Sequence, residues 1–156
     1  MKTSTVVDSP LGMLTLVSDE GVLAGLYMVE QRHRPDLDLP RDDEALPELR
    51  EQLADYWARE LKEFDVPLAM VGTPFQRQVW AGLRTIPYGE TWSYGELAAA
   101  IGRPGASRAV GLANGRNPVS VVVPCHRVVG SGGSLTGYGG GLERKKWLLD
   151  LEAGRL

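Results

Sequence analysis

The chain has one cysteine, at position 125, and only two histidines among its 156 residues. A single cysteine excludes an internal disulfide and a zinc site built on several thiolates, and it is typical of a reducing cytoplasm. No run approaches the roughly 18 apolar residues of a membrane-spanning helix, and the first residues lack the apolar core of a signal peptide. We therefore expect a cytoplasmic protein with no membrane segment.

The composition indicates one small globular protein, because 43% of its residues are hydrophobic. The charge is unevenly distributed. Residues 1–75 carry 7 basic and 15 acidic side chains, a net charge of −8, whereas residues 76–156 carry 10 and 5, a net charge of +5. A solvated helix face accounts for the acidic half, and the basic half is suited to a polyanion such as DNA.

The first half of the sequence predicts a small antiparallel sheet covered by a helix. Three apolar segments separated by turn residues are expected to be strands, at Thr3–Val7, Met13–Val17 and Val22–Met28. Apolar residues at spacings of three and four then predict an amphipathic helix over Pro47–Phe64. The hairpin pattern followed by a helix indicates an α+β lobe.

The second half predicts helices, two of which begin with a capping box. The segments Thr73-Pro74-Phe75-Gln76 and Ser93-Tyr94-Gly95-Glu96 each place a hydroxyl three residues before a glutamine or glutamate. A Gly- and Pro-containing turn leads from the second of these helices to another at Ser107–Gly115, which is rich in Ala and Gly. This helix-turn-helix pattern is typical of DNA-binding proteins and also occurs in proteins that never bind DNA.

Cys125 is the candidate nucleophile, because it is followed directly by His126. Val121–Val123 predicts a buried strand, and Pro124 is expected to end it and expose Cys125 at the strand end. Adjacent side chains point apart, so His126 is expected to act on the thiol through a water molecule. A buried, inert cysteine is the alternative.

The chain resembles the O6-alkylguanine-DNA alkyltransferases, also called methylated-DNA–protein-cysteine methyltransferases. The resemblance covers residues 73–152 almost without a gap, and Asp8-Ser9-Pro10-Leu11-Gly12 is similar to the opening strands of the family. The most specific matching segments are Pro124-Cys125-His126-Arg127-Val128, Ile86-Pro87-Tyr88-Gly89-Glu90-Thr91, Ser107-Arg108-Ala109-Val110-Gly111, Asn117-Pro118 and Tyr138-Gly139-Gly140-Gly141-Leu142.

The resemblance implies a DNA repair protein that acts once. It would flip an O6-alkylguanine, chiefly O6-methylguanine and as a further candidate O4-methylthymine, out of duplex DNA and transfer the alkyl group irreversibly to Cys125. The expected partner is double-stranded DNA, approached through the minor groove by the helix Ser107–Gly115. We expect the free protein to be a monomer, and binding to DNA to be either independent or cooperative.

The resemblance also assigns roles to residues. Cys125, His126 and Glu152 would form a relay through a water molecule. Tyr94 would support the leaving guanine, and Arg108 would fill the gap left by the flipped base. The predicted catalytic set is Cys125, His126, Glu152, Asn117, Tyr94 and Lys145. The predicted substrate- and DNA-binding set is Arg108, Tyr138, Val128, Gly139, Ser107, Ala109, Asn114 and Arg127.

Several of these residues have simpler explanations. Glu152 lies near the end of the predicted helix Leu142–Glu152, where a carboxylate is usually exposed, although its spacing places it on one face with Lys145. Tyr94 is explained equally by a surface position at a helix start, Arg108 by a phosphate contact, and Asn117 by a local turn. Gly139 replaces a serine found in some family members, so only a backbone N–H could bond to O6 there.

The expected architecture has two lobes. An N-terminal RNase H-like lobe would comprise residues 1–70, and a mainly helical lobe with a winged-helix-like helix-turn-helix would comprise residues 71–156. We predict no metal, because the cysteines of the zinc site in some members are lacking, and no cofactor. A non-catalytic lesion sensor and a small-molecule cysteine hydrolase are the alternative functions.

Overall fold

The computed structural model describes all 156 residues and has an α+β fold. Its N-terminal part is a three-stranded antiparallel sheet of β1 (Lys2–Val7), β2 (Leu14–Asp19) and β3 (Val22–Met28) in sequential order. A bulge between Val17 and Ser18 shifts the register of β2 against β3. The predicted hairpin sheet is confirmed, with strand bounds that differ by one or two residues.

Helix α1 (Pro47–Trp57) is shorter than predicted, because the expected helix continued to Phe64. The backbone of Arg59 turns into the left-handed region with φ of 62°. Two N–H groups beyond it, those of Glu60 and Leu61, donate to the carbonyl of Asp55 and close the turn. The chain therefore folds back on itself and returns Phe64 to the apolar face of α1, where it contacts Tyr56.

The second half contains four helices and two very short strands. They are α2 (Pro74–Leu83), β4 (Trp92–Ser93), α3 (Tyr94–Ala100), α4 (Ser107–Gly115), β5 (Val128–Val129) and α5 (Leu142–Glu152). Strands β4 and β5 pair in parallel. Single 3-10 turns occur at Cys125–Arg127 and Ser131–Gly133.

Both predicted capping boxes are present. Thr73 Oγ1 accepts from the Gln76 N–H at 3.1 Å, and the Gln76 side chain accepts from the Thr73 N–H at 3.0 Å. Ser93 and Glu96 form the equivalent pair at 3.1 and 3.0 Å. These reciprocal bonds satisfy N–H groups that have no partner within a helix, and they fix where α2 and α3 begin.

The predicted strand Val121–Val123 is wrong, because these residues form tight turns. Val121 has a φ of 72°, a rare conformation for a β-branched residue. The turn is held by the Val122 N–H, which donates to Ser120 O at 2.8 Å, and by the Val123 N–H, which donates to Val119 O at 3.0 Å. Burial of the valine side chains is as expected, but the backbone curls instead of extending.

One apolar core of 28 buried residues runs through both halves of the chain. A backbone bond joins them directly, since the Leu26 N–H of β3 donates to Pro118 O at 2.9 Å. The small sheet is thereby attached to the loop that leads to Cys125. None of the helices is both long enough and apolar enough to cross a membrane.

Candidate active site

Cys125 starts the 3-10 turn after Pro124 and is buried, with 5% of its surface exposed. The expectation that it would be exposed at a strand end is therefore wrong. Burial raises the pKa of its thiol, against the opposing effects of a hydrogen bond from Asn117 and the positive charge of Lys145. The thiol is accordingly protonated in the resting protein and needs a base before it can act as a nucleophile.

Two asparagines hold the backbone around Cys125. The Asn117 amide donates to Val123 O at 2.8 Å, and its carbonyl oxygen accepts from the Val119 N–H at 3.0 Å. Asn114 donates to Cys125 O at 3.5 Å. Asn117 thus bridges the two ends of the strained turn, which a merely local turn contact would not do.

Glu152 lies at the centre of a buried polar network. Its Oε2 accepts from His126 Nε2 at 2.8 Å and from Arg127 Nη2 at 2.9 Å, and its Oε1 accepts from Arg127 Nε at 2.8 Å. The Tyr56 hydroxyl also donates to Oε2, at 2.5 Å. The alternative of a solvated carboxylate at a helix end is wrong, since only 1% of this side chain is exposed.

The network fixes the protonation of its members. Burial by itself would raise the pKa of Glu152, but His126 and Arg127 outweigh it and lower that pKa strongly. Burial lowers the pKa of His126, against the opposing effect of Glu152. Neutral His126 beside an ionised carboxylate must carry its hydrogen on Nε2, because an ionised carboxylate only accepts hydrogen bonds. The buried Nδ1, which has no protein partner, then holds a lone pair that can accept a proton.

Arg127 is misplaced in the predicted DNA-binding set. Its guanidinium is 8% exposed, binds both oxygens of Glu152, and donates through Nη1 to Ile86 O at 2.7 Å. A guanidinium with these partners neutralises the buried carboxylate, and its burial keeps the remaining N–H groups away from a phosphate. It also lies 5.7 Å from the centre of the Tyr88 ring.

Two further members of that set also lie inside the protein. Asn114 is 4% exposed and faces the Cys125 backbone, and Val128 is completely buried. The Val128 carbonyl accepts a hydrogen bond from Lys145. Neither side chain can reach DNA in this structure, so both are corrected to supporting positions.

Lys145 joins β5 to the glycine-rich loop. Its Nζ donates to Val128 O at 2.5 Å and to Thr136 O at 2.7 Å. Burial lowers the pKa of this ammonium to about 8. Lys145 and Glu152 therefore lie on the same face of α5, as their spacing of seven residues predicts, and they contact opposite sides of the site.

A cavity of about 560 Å³ opens beside α4. Its lining includes Tyr94, Ala109, Tyr138 and Gly139, all from the predicted site. Cys125 does not line it. Tyr138 lines the cavity, and burial together with the nearby Cys125 raises the pKa of its phenol.

The front of α4 is exposed. Ser107, Arg108 and Ala109 are its first three residues, and each is open to solvent. Tyr94, at the start of α3, is half-buried, and its hydroxyl lies 3.4 Å from Thr136 O. Of the predicted DNA-binding set, Ser107, Arg108 and Ala109 therefore lie together on an exposed surface, whereas Cys125, His126 and Glu152 are buried.

Sequence reasoning missed three residues of the site. Tyr56 binds Glu152 from α1, and Arg32 and His33 line the cavity from the loop after β3. A signal for Tyr56 existed, since it follows Leu49 by seven residues and Leu53 by three and so shares their helix face. Arg32 and His33 were detectable only as basic residues within an acidic half.

Comparison with known proteins adds an independent line of evidence. Two family profiles match the chain: the ribonuclease-like domain of 6-O-methylguanine DNA methyltransferase over residues 3–70, and its DNA binding domain over residues 74–154. A methylated-DNA–protein-cysteine methyltransferase of Mycolicibacterium paratuberculosis is 57% identical over 94% of this chain and 89% of its own length.

Solved structures agree with this match. A crystal structure of Mycobacterium tuberculosis OGT in complex with DNA superposes with a TM-score of 0.95 at 54% identity, covering 98% of this chain and 94% of that one. An O6-methylguanine-DNA methyltransferase from Pyrococcus kodakaraensis, at 24% identity and a TM-score of 0.56, shares the fold over 97% of this chain and 99% of its own. The chain belongs to the 6-O-methylguanine DNA methyltransferase family.

Proposed function

We propose that this protein repairs DNA by transferring the alkyl group of an O6-alkylguanine irreversibly to the sulfur of Cys125. The observation that carries the proposal is the buried Cys125-His126 pair, in which an ionised Glu152 holds the imidazole. The names and structures of the relatives support the same activity and DNA as the partner.

The proposed reaction is a single displacement at carbon. The proton of the Cys125 thiol passes to Nδ1 of His126, through a water molecule as the resemblance implies. The sulfur then attacks the alkyl carbon, so that an S–C bond forms while the bond from that carbon to O6 breaks. The electron pair stays on guanine, which takes up a proton and leaves as the normal base.

The electrostatics suit a reaction that begins only when substrate is bound. Because the pKa of the Cys125 thiol is raised and His126 is neutral, Cys125 is not ionised before substrate binds. As His126 becomes protonated, the Glu152 carboxylate in contact with it stabilises the new positive charge. Arg127 balances that carboxylate at rest, and the positive charge of Lys145 favours loss of the thiol proton.

DNA binding is assigned to α4 and the cavity beside it. Arg108 lies at the exposed front of the helix, and the small side chains of Ala109 and Gly111 allow a close approach to the minor groove. The flipped base would enter the cavity along Tyr94 and Tyr138, with the Gly139 N–H as the donor to O6. Because Cys125 is buried and does not line the cavity, the side chains that cover its sulfur must shift as the base enters.

The division into a lobe of residues 1–70 and a lobe of residues 71–156 is part of the proposal. The second lobe carries the DNA surface, the nucleophile and the base, and the first supports them. Binding as a monomer, action on O4-methylthymine, the cytoplasmic location, and the lack of a metal or cofactor stay predictions.

The test is the intact mass of the protein after mixing it with an equimolar duplex that carries one O6-methylguanine. We expect a gain of one methylene unit, mapped to Cys125 and saturating at one per chain, with no gain in Cys125→Ser. Tight lesion binding without a mass change would favour a lesion sensor. Repeated turnover of a small ester or amide would favour a hydrolase.

A further inference from the structure

Tyr56 brings a side chain of the first 70 residues into the buried network. It lies on α1, is completely buried, and donates its only hydrogen bond to Glu152 Oε2 across 96 residues of sequence. The other donors to this carboxylate, His126 and Arg127, both belong to the 3-10 turn that begins at Cys125. The orientation of the carboxylate therefore depends on both halves of the molecule.

Aromatic packing fixes the position of the Tyr56 hydroxyl. The ring centre lies 5.1 Å from those of Trp57 and Phe64 and 6.3 Å from that of Tyr88. Tyr88 in turn packs against the Arg127 guanidinium. Because neighbouring rings pack against it on several sides, the Tyr56 side chain is held in one conformation, with its hydroxyl directed at Glu152 Oε2.

Tyr56 shares one oxygen with His126. Oε2 accepts from the Tyr56 hydroxyl, from His126 Nε2 and from Arg127 Nη2, whereas Oε1 accepts only from Arg127 Nε. Burial and the Glu152 charge raise the pKa of Tyr56 far above its ordinary value, so the phenol stays a donor. A donor on Oε2 withdraws negative charge from the atom that holds the imidazole, and so affects how readily His126 takes a proton.

We propose that Tyr56 is a positioning residue for the alkyl transfer, which orients the Glu152 carboxylate and moderates its charge so that His126 is held and tuned as the base. This inference rests on the proposed function. It makes the correct docking of α1 a requirement for chemistry at Cys125, although α1 contributes nothing to the nucleophile or to the exposed front of α4.

The first test is Tyr56→Phe, which removes the hydroxyl and keeps the ring. The transfer rate constant at saturating O6-methylguanine duplex is expected to fall about 10-fold. Losses of this size are typical when a hydrogen bond that orients a functional side chain is removed. The dissociation constant for DNA is expected to change less than about twofold, since α4 is untouched. Tyr27→Phe is the matched control, because Tyr27 is also buried in the first lobe and its hydroxyl has no hydrogen bond to the site.

The pH profile separates positioning from packing. Without the phenol, Oε2 carries more negative charge and favours the imidazolium, so the acid limb of the rate profile is expected to move to higher pH. The other groups that interact electrostatically with His126 or Glu152, namely Arg127, Lys145, Tyr88 and Tyr138, remain unchanged. Replacing Tyr56 with 3-fluorotyrosine strengthens the donor, and we expect the same limb to move to lower pH.

An unchanged rate and pH profile in folded Tyr56→Phe would overturn the inference. So would a loss of rate with no shift of the acid limb in either variant, which would show that Tyr56 acts through packing alone. If the wild type itself transfers no alkyl group, the proposed function fails, and the role of Tyr56 in transfer fails with it.

Discussion

The polar side chains around Glu152 are buried and form hydrogen bonds with one another. Those at the start of α4 are exposed to solvent and available to a binding partner. Glu152 accepts four hydrogen bonds inside the protein, while Arg108 stands in solvent beside alanine and glycine. The buried region suits proton transfer, because fixed partners in a low dielectric hold protonation states. The exposed region suits binding, because small residues let a duplex approach.

The rate of transfer and the affinity for DNA therefore have separate structural origins in this protein. A change in the buried network is expected to alter transfer and stability while leaving DNA affinity intact. A change on α4 is expected to alter affinity and its salt dependence while leaving the fold intact.

Glu152→Gln should give the largest effect. It removes the buried negative charge and leaves Arg127 uncompensated, which is expected to lower the free energy of unfolding by about 3–5 kcal/mol. The transfer rate at saturating DNA should fall by about 100-fold or more, because His126 loses the negative charge that stabilises its protonated form. Denaturant unfolding and single-turnover kinetics measure the two effects.

Glu143→Gln is the control for that substitution. It makes the same change on the exposed first turn of α5 and should leave both quantities unaltered. Should Glu152→Gln fail to fold, Glu152→Asp keeps the charge and tests the geometry alone. Loss of DNA affinity in a folded Glu152 variant would break the separation between the two regions.

Arg108→Ala should give the next largest effect. Affinity for an O6-methylguanine duplex is expected to fall about 10-fold, and the slope of log affinity against log salt to decrease by about one, because one cation leaves the DNA surface. Fluorescence titrations over a range of salt concentrations measure both. Lys2→Ala removes the same charge from β1 and serves as the comparison, and an equal loss there would show that Arg108 acts only through net charge.

Lys145→Met should give a smaller, pH-dependent effect on stability. Because burial lowers the pKa of Lys145 to about 8 from 10.5, the unfolded chain binds this proton more tightly between those values. The contribution of Lys145 to stability therefore rises with pH in that window. From pH 8 to pH 9 the wild type should gain roughly 0.5–1 kcal/mol relative to Lys145→Met.

The wild type must be compared with the variant, because the titration of other groups lowers the stability of the protein as pH rises. The raised pKa of Cys125 makes the folded protein hold a proton that the unfolded chain releases, and this lowers stability as pH rises. Because Lys145 also lowers the pKa of that thiol, the two proteins are compared in a Cys125→Ser background, which removes this titration from the difference. A difference that stays constant from pH 8 to pH 9 would contradict the assigned burial of the Lys145 ammonium.

Local signals explain which parts of the fold the sequence predicts well. The capping boxes at Thr73 and Ser93 define helix starts chemically, and the predicted helix Leu142–Glu152 matches α5 to the residue. The end of α1 lacks such a signal, because Arg59 occupies the left-handed position that glycine usually takes. The turn at Val121 is likewise held by Asn117, a contact that valine-rich sequence does not reveal.

The residues of the site also divide into those that the sequence predicts and those that only the structure reveals. The sequence motif identifies Cys125 and His126, whereas Glu152 and Lys145 enter through the family resemblance and a spacing that places them on one helix face. The structure places Glu152 on His126 and the Lys145 charge near Cys125. The sequence alone places Arg127 among the DNA-binding candidates, and only the fold shows that its guanidinium is buried against the Glu152 carboxylate and the Ile86 carbonyl. Tyr56 lies 96 residues from its partner, a distance at which no local pattern operates.

The most direct test of His126 as the base is its ring nitrogen spectrum in the resting protein. The chain has only two histidines, so ¹⁵N signals can be assigned with His33→Gln. We predict a neutral ring with hydrogen on Nε2 and none on Nδ1, persisting below pH 6.5, where an ordinary histidine has taken up its second proton. An imidazolium at pH 7, or hydrogen on Nδ1, would contradict the assignment of His126 as the group that accepts the Cys125 proton.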